Sequence, residues 1–170
     1  PYRVAASRRP GDPWAHHFLA DALAAQGKFA EAEAAFREAI RLEPHNSGRH
    51  QNLGDALRAQ GKFTDAAVEY AEAARLPMGG YASYYGMGSV YAYTGQWEKA
   101  AEGFRRSAEL SPADLPSLFS WAALSFYTND QDNYRRACRA LLDHFSQTDN
   151  IQIADCTAKA CSLAPGFGGD

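Results

Sequence analysis

The sequence predicts an all-α protein, a solenoid of antiparallel helix pairs, and three observations support this prediction. Similar residues recur at a fixed interval of 34, which is typical of stacked structural repeats. Small and aromatic side chains alternate at the recurring positions, as closely packed helices require. No stretch shows the alternation of apolar and polar residues that a half-buried β-strand needs.

The repeat is visible in glycines, alanines and aromatic residues that keep the same spacing. The segment "GKFAEAEAAF" begins at Gly27, and "GKFTDAAVEY" begins 34 residues later at Gly61. The sets that hold this interval are Gly27, Gly61 and Gly95; Phe29, Phe63 and Trp97; Ala32, Ala66 and Ala100; and Phe36, Tyr70 and Phe104. One step back from Phe36 reaches Tyr2, which indicates that the chain opens within an earlier repeat.

Helix starts and stops follow the same interval. Asp12–Pro13 and Asn46–Ser47 predict helix starts, because a side chain that caps the helix precedes the first turn. The glycines at 27, 61 and 95 can adopt the left-handed conformation that ends the first helix of each pair. Prolines at 10, 44, 77 and 112 are expected to stop the second helices.

These signals divide the chain into repeats. The predicted units are the second half of a truncated repeat at 1–11, repeats at 12–46, 47–79 and 80–113, a degenerate repeat at 114–149, a capping helix at 150–165 and a flexible tail at 166–170. Trp97 and Tyr134 are 37 residues apart, so three inserted residues are expected in the fourth repeat, with Asp132 replacing the turn glycine. The capping helix would close the last apolar surface of the stack.

The pattern resembles the tetratricopeptide repeat (TPR) family, whose signature is W-x2-L-G-x2-Y, then A-x3-F, then P. The second repeat carries Leu53, Gly54, Leu57, Gly61, Phe63, Ala66, Tyr70 and Ala73 at the family positions, and the third carries Met87, Gly88, Tyr91, Gly95, Trp97, Ala100, Phe104 and Pro112. The tryptophan position departs from the pattern, since it holds His16, His50 and Tyr84. The resemblance implies a right-handed superhelical solenoid that binds a protein or peptide partner in a concave groove.

In this family the first helix of each pair lines the groove. The corresponding residues here are Trp14, His17, Asp21, Gln51, Asp55, Arg58, Tyr85, Ser89, Tyr93, Phe119 and Phe126. This groove is polar and acidic at one end and aromatic at the other, which favours a peptide with a basic part and apolar anchors. An alternative remains, in which Tyr85, Tyr93, Phe119 and Phe126 are packing residues.

Some family members clamp the C-terminal carboxylate of chaperones with lysine, asparagine and arginine side chains. The matching positions hold His17, Asp21, Asn52, Ala82 and Gly86, and only Asn52 agrees with the family residue. Because Asp21 would repel a carboxylate, chaperone clamping is not expected here.

A narrower resemblance concerns "NYRRACRALLDHFSQTDNIQIADCTAKACSLAPG" at the C-terminal end. It is similar to the end of large bacterial multidomain proteins in which TPRs follow a serine/threonine kinase or a similar signalling domain. This implies an alternative function as the regulatory region of a larger enzyme. A third alternative is a structural module that self-associates through the open face of the truncated repeat.

Composition limits the classes of partner and the compartment. The formal net charge is −3 and the sequence pI about 6.0, which argues against a general nucleic-acid binder. No apolar run approaches the roughly 20 residues of a membrane span, and the first residues lack the apolar stretch of a secretion signal. The three cysteines are best interpreted as reduced thiols, so a cytoplasmic location is expected. The sequence has no initial Met, so it is expected to be a fragment of a longer chain.

No catalytic or metal-binding motif accompanies the repeats. His16 and His50 share a repeat position, and Cys156 and Cys161 are five residues apart, but neither pair has further ligands at metal-site spacing. No nucleophile elbow and no phosphate-binding loop occur, so neither catalysis nor a cofactor is expected. The arginines at 135, 136 and 139 form a basic patch, either a solvated helix face or a contact for an acidic partner.

Overall fold

The computed structural model describes residues 2–145 and Cys161. Over 2–145 the chain forms nine α-helices and no β-strand, which confirms the predicted all-α class. The helices are α1 (Tyr2–Arg8), α2 (Pro13–Ala24), α3 (Phe29–Leu42), α4 (Ser47–Ala59), α5 (Phe63–Arg75), α6 (Tyr81–Tyr93), α7 (Trp97–Leu110), α8 (Leu115–Tyr127) and α9 (Gln131–Phe145).

Consecutive helices pack against each other along the chain, which produces a solenoid. Short turns join α2 to α3, α4 to α5, α6 to α7 and α8 to α9, and these pairs are in extensive contact. Each pair packs on the next through its second helix, and α4 also contacts α6 directly. We refer to α2, α4, α6 and α8 as the first helices of the four pairs.

The capping and turn signals act as the sequence predicts. The side chain of Asp12 accepts a hydrogen bond from the backbone N–H of Trp14 at 3.0 Å, and Asn46 accepts one from Arg49 at 3.3 Å. Gly27, Gly61 and Gly95 have φ values of 73°, 74° and 72°. These left-handed conformations reverse the chain between the two helices of a pair.

The fourth pair keeps the interval of 34, so the predicted three-residue insertion is wrong. Its second helix α9 begins at Gln131, 34 residues after Trp97 begins α7. Asn129, with φ 58°, takes the position of Gly95 in the turn, rather than Asp132. Asparagine is one of the few residues other than glycine that tolerate this region, because its short polar side chain can form local hydrogen bonds.

Buried side chains form two clusters along the solenoid. The first extends over α2 to α6 and includes Phe36, Leu57 and Tyr70, and the second extends over α7 to α9 and includes Trp121 and Leu141. The aromatic residues at the predicted repeat positions 36, 70 and 104 are all buried. They fill the space between one helix pair and the next, as the repeat pattern indicates.

The predicted capping helix and tail lie outside the described residues, except for Cys161. This residue is helical and buried, and its thiol donates a hydrogen bond to the Cys138 carbonyl at 3.6 Å. Burial, reinforced by the neighbouring Cys138 thiol, raises the pKa of Cys161 to about 12. Among the described helices, none is both long and apolar enough to cross a bilayer.

Candidate functional site

The predicted groove residues lie on the four first helices, in register with one another. The 34-residue interval gives three columns across α2, α4, α6 and α8: His17, Gln51, Tyr85 and Phe119; Asp21, Asp55, Ser89 and Ala123; and Ala24, Arg58, Ala92 and Phe126. We call the surface that these columns define the first-helix face. The corrected register therefore leaves both Phe119 and Phe126 in columns with other predicted groove residues.

Two aspartates present carboxylates on the α2–α4 half of this face. The side chains of Asp21 and Asp55 are 46% and 48% exposed. Asp21 is positioned by the Asn52 amide, which donates to its Oδ1 at 3.4 Å, and by His17, whose Nε2 lies 3.4 Å from its Oδ2. His17 is itself largely buried, with its ring 5.9 Å from that of Phe36. It therefore contributes packing and holds Asp21 in place.

A buried tyrosine fixes the second carboxylate. The hydroxyl of Tyr70 donates a hydrogen bond to Asp55 Oδ1 at 2.7 Å, and Arg58 Nη2 lies 3.4 Å from the same oxygen. Burial, together with the Asp55 charge, raises the pKa of Tyr70 well above its ordinary value. Burial alone would lower the pKa of Arg58, but Tyr70 and Asp55 raise it overall. The cluster thus combines a buried phenol with the carboxylate of Asp55 and the guanidinium of Arg58.

Trp14 and Gln51 complete the polar half. Trp14 is exposed, and the guanidinium of the buried Arg49 lies 5.1 Å from its ring centroid. Gln51 accepts a hydrogen bond from the Ser83 hydroxyl at 3.4 Å, linking α4 to α6. Arg49 also forms an ion pair with Glu43. The sequence did not indicate a role for Arg49, because the same position in the other three pairs holds small residues, Ala15, Ser83 and Ser117.

The α6–α8 half has a different chemistry. Neither α6 nor α8 contains Asp, Glu, Lys, Arg or His. Tyr85 is half-buried with its ring edge-on to Phe104 at 5.3 Å, and Phe119 packs against the core. The Ser89 hydroxyl donates to the Tyr85 carbonyl at 2.9 Å. Tyr85 and Phe119 thus serve mainly as packing residues, whereas Phe126 is exposed.

Two exposed tyrosines end the first helices of this half. Tyr93 is 69% exposed and stacks on Phe63, with centroids 5.2 Å apart and an interplanar angle of 3°. Tyr127, 34 residues later, is 68% exposed and meets Trp97 edge-on at 5.5 Å. Sequence reasoning missed Tyr127 because the supposed insertion hid its equivalence to Tyr93.

A small apolar pocket opens beside Tyr93. It has a volume of about 310 Å³ and is lined by Ser89, Ala92, Tyr93 and Phe104. Ala92 shares a column with the larger Arg58 and Phe126, so its small side chain leaves this space open. The pocket can accept an apolar group of the size of an amino-acid side chain.

His16 on α2 and His50 on α4, which share a repeat position, lie within hydrogen-bonding distance of neighbouring groups. His16 Nε2 and His50 Nε2 each lie 3.0 Å from a proline carbonyl, and His50 Nδ1 lies 2.8 Å from Glu69 Oε2. In the part of the chain that the structure describes, no group of three or more His, Cys, Asp or Glu side chains could hold a metal ion.

The basic patch of α9 lies among acidic residues. Arg135 forms an ion pair with Asp132 at 2.8 Å, and Arg136 lies 3.7 Å from Glu109 on α7. Both arginines are exposed. The first ion pair lies within α9, and the second joins α9 to α7, the second helix of the preceding pair. This arrangement matches the interpretation of the patch as a solvated helix face.

Comparison with known proteins gives consistent likenesses. The family model described as tetratricopeptide repeat matches residues 2–47, 19–83 and 51–114. The crystal structure of YrrB, described as a TPR protein with an unusual peptide-binding site, is 18% identical with a TM-score of 0.72, over 93% of this chain and 82% of that chain.

Two further structures are similar to the chain. MamA is 17% identical with a TM-score of 0.76, over 84% of each chain. Pseudomonas aeruginosa pilF is 19% identical with a TM-score of 0.72, over 95% of this chain and 77% of that one. Among curated proteins, none matches by sequence. At these identities the structural likeness establishes the fold alone.

Proposed function

Because the chain belongs to the tetratricopeptide repeat family, we propose that it is an interaction scaffold that binds an extended segment of a protein partner along its first-helix face. The TPR fold suggests protein–protein interaction, and such repeats are generally scaffolds without catalysis. The partner segment lies across α2, α4, α6 and α8. Its contacts are the predicted groove residues that remain accessible.

The division of this face into two halves is the observation that carries the proposal. Asp21 and Asp55 present carboxylates that are held by neighbouring side chains yet remain open to solvent on one side. The other half is uncharged and presents Tyr93 and Phe126. A segment with basic residues at one end and apolar residues at the other complements both halves.

Titration with a fluorescently labelled peptide tests the proposal. The probe carries lysines and arginines followed by leucine and phenylalanine, and anisotropy reports its binding. The Asp21→Asn/Asp55→Asn variant, which keeps the oxygen acceptors for Asn52 and Tyr70, should bind about tenfold more weakly. The matched control Asp65→Asn/Glu98→Gln removes two exposed charges from second helices and should bind normally. Equal affinity for all three proteins would contradict a contribution of Asp21 and Asp55 to binding.

Self-association is a second candidate, favoured by an exposed aromatic patch at the first pair. Tyr2 is 49% exposed, although the residues 34, 68 and 102 positions later are buried. Its ring lies 6.4 Å from Phe18, which in turn lies 5.9 Å from Trp14. A second copy covering this patch would remove apolar surface from water.

Light scattering at increasing protein concentration tests self-association. The measured mass should rise, and Phe18→Glu should hold the protein at monomer mass, while Val68→Glu on the exposed side of α5 should not. A constant monomer mass for the wild type would exclude this candidate. A regulatory role beside a bacterial serine/threonine kinase and a cytoplasmic location stay predictions.

A further inference from the structure

We propose that the α6–α8 half of the first-helix face binds a proline-rich segment in the polyproline II conformation. This inference rests on the proposed function, since it names the chemistry of the segment that the aromatic half accepts. Three features carry it: two helices without charged side chains, two exposed tyrosine rings that each contact an aromatic neighbour, and the hydroxyl donors of these tyrosines.

The first feature is the lack of charge over two whole helices. Residues 81–93 and 115–127 contain no ionisable acid or base apart from tyrosine. A charged segment would lose hydration against these two helices and find no opposite charge among their own side chains. The surface therefore favours an uncharged segment, in contrast to the α2–α4 half with its two aspartates.

The second feature is a pair of aromatic platforms at equivalent positions. Tyr93 lies flat against Phe63 and Tyr127 lies edge-on against Trp97, while most of the surface of each tyrosine stays exposed. Proline-rich segments dock between aromatic rings of this kind, because the preformed helix loses little entropy on binding. The pocket beside Tyr93 has room for a pyrrolidine ring.

The third feature is hydrogen bonding. Proline has no backbone N–H, so a proline-rich segment presents carbonyl acceptors and almost no donors. The phenol hydroxyls of Tyr93 and Tyr127 can donate to those carbonyls. A segment with ordinary backbone N–H groups would in addition need acceptors, and α6 and α8 offer no carboxylates for that purpose.

A labelled ten-residue polyproline peptide is the direct probe, with a glycine–serine peptide of equal length as the negative control. Anisotropy should show saturable binding of the polyproline peptide only, unaffected by raising the salt concentration. Tyr93→Ala/Tyr127→Ala should weaken it about tenfold or more, since each ring buries apolar surface of the ligand. Val68→Ala/Leu110→Ala removes two exposed apolar side chains from the second helices and should leave it unchanged.

Two comparisons separate the inference from the proposed function. Tyr93→Phe/Tyr127→Phe keeps the rings and should give an intermediate loss, whereas wild-type affinity would overturn the role of the hydroxyls. If the basic–apolar peptide binds but polyproline does not, the inference is wrong and the proposed function stands. If neither peptide binds, both are wrong. Equal binding of the glycine–serine peptide would also overturn the inference.

Discussion

Gly86 on α6 lies so close to Tyr70 on α5 that a Cβ added to the glycine would stand 2.6 Å from the tyrosine ring. Gly54 on α4 approaches the same ring, with an added Cβ at 2.8 Å. The ring is fully buried between these two first helices. Glycine at both positions therefore permits one aromatic side chain to join two consecutive repeats.

Replacing Gly86 by alanine should destabilise the protein by about 1–3 kcal/mol, because the new methyl group overlaps a buried ring that cannot move away. Chemical denaturation monitored by circular dichroism measures the change. Gly48→Ala is the matched control, since Gly48 is an exposed helical glycine whose added Cβ would be 3.4 Å from Asn46 Oδ1. It should be neutral or slightly stabilising. Equal stability of the two variants would contradict the close packing of Tyr70.

The buried phenol of Tyr70 should make the protein sensitive to alkali. Its folded-state pKa is raised by burial and by Asp55, so above about pH 10 the unfolded chain loses a proton that the folded chain keeps. Stability should be unaffected below the unfolded pKa and fall as the pH rises above it, by up to about 1.4 kcal/mol per pH unit. Urea unfolding of wild type and Tyr70→Phe between about pH 8 and 11 measures this.

Tyr70→Phe should show a shallower decline at alkaline pH, while being less stable than wild type near neutrality by about 1 kcal/mol through loss of the hydrogen bond to Asp55. The two effects have opposite signs, so the stability difference between the proteins should narrow as the pH increases. Parallel stability curves would show that Tyr70 does not keep its proton in the folded state.

Much of this fold could be predicted because the repeat positions are constrained locally. The turn glycines at 27, 61 and 95 are fixed by a backbone conformation that few residues adopt, and the aromatic residues at 36, 70 and 104 by the gap that they fill. Both constraints act on single residues at a constant interval of 34. The same residue types therefore recur in the sequence, where they can be recognised directly.

The fourth pair was misread because two of its positions use different residues for the same purpose. Asn129 supplies the left-handed turn in place of glycine, and Tyr134 is buried where Ala100 occupies the preceding pair. An aromatic residue at an alanine position resembles the start of a shifted repeat. The same error removed Tyr127, one exposed residue of the candidate site, from consideration, whereas Asp21, Asp55, Tyr93 and Phe126 were predicted.

Asn129→Ala should cost about 1 kcal/mol, because an alanine with φ near 58° brings its Cβ close to a backbone carbonyl. Asn129→Gly should be neutral or stabilising, since glycine adopts this conformation without that contact. Thermal unfolding distinguishes the variants. Gln131→Ala is the control, because it removes the hydrogen bond from Gln131 to Asn129 and leaves the turn residue in place. If this control loses as much stability as Asn129→Ala, the backbone conformation is not the cause.

The two aspartates of the α2–α4 half should make binding of the basic–apolar peptide depend on salt. Asp21 and Asp55 are about half exposed, so their attraction for a basic ligand is screened as the Debye length falls from about 10 Å at 0.1 M salt to about 3 Å at 1 M. The wild-type dissociation constant should therefore rise across this range. In Asp21→Asn/Asp55→Asn this rise should disappear, because Arg58 is the charged group left beside these positions, while Asp65→Asn/Glu98→Gln should follow the wild type. A dissociation constant that does not change with salt in the wild type would assign the whole affinity to the aromatic half of the face.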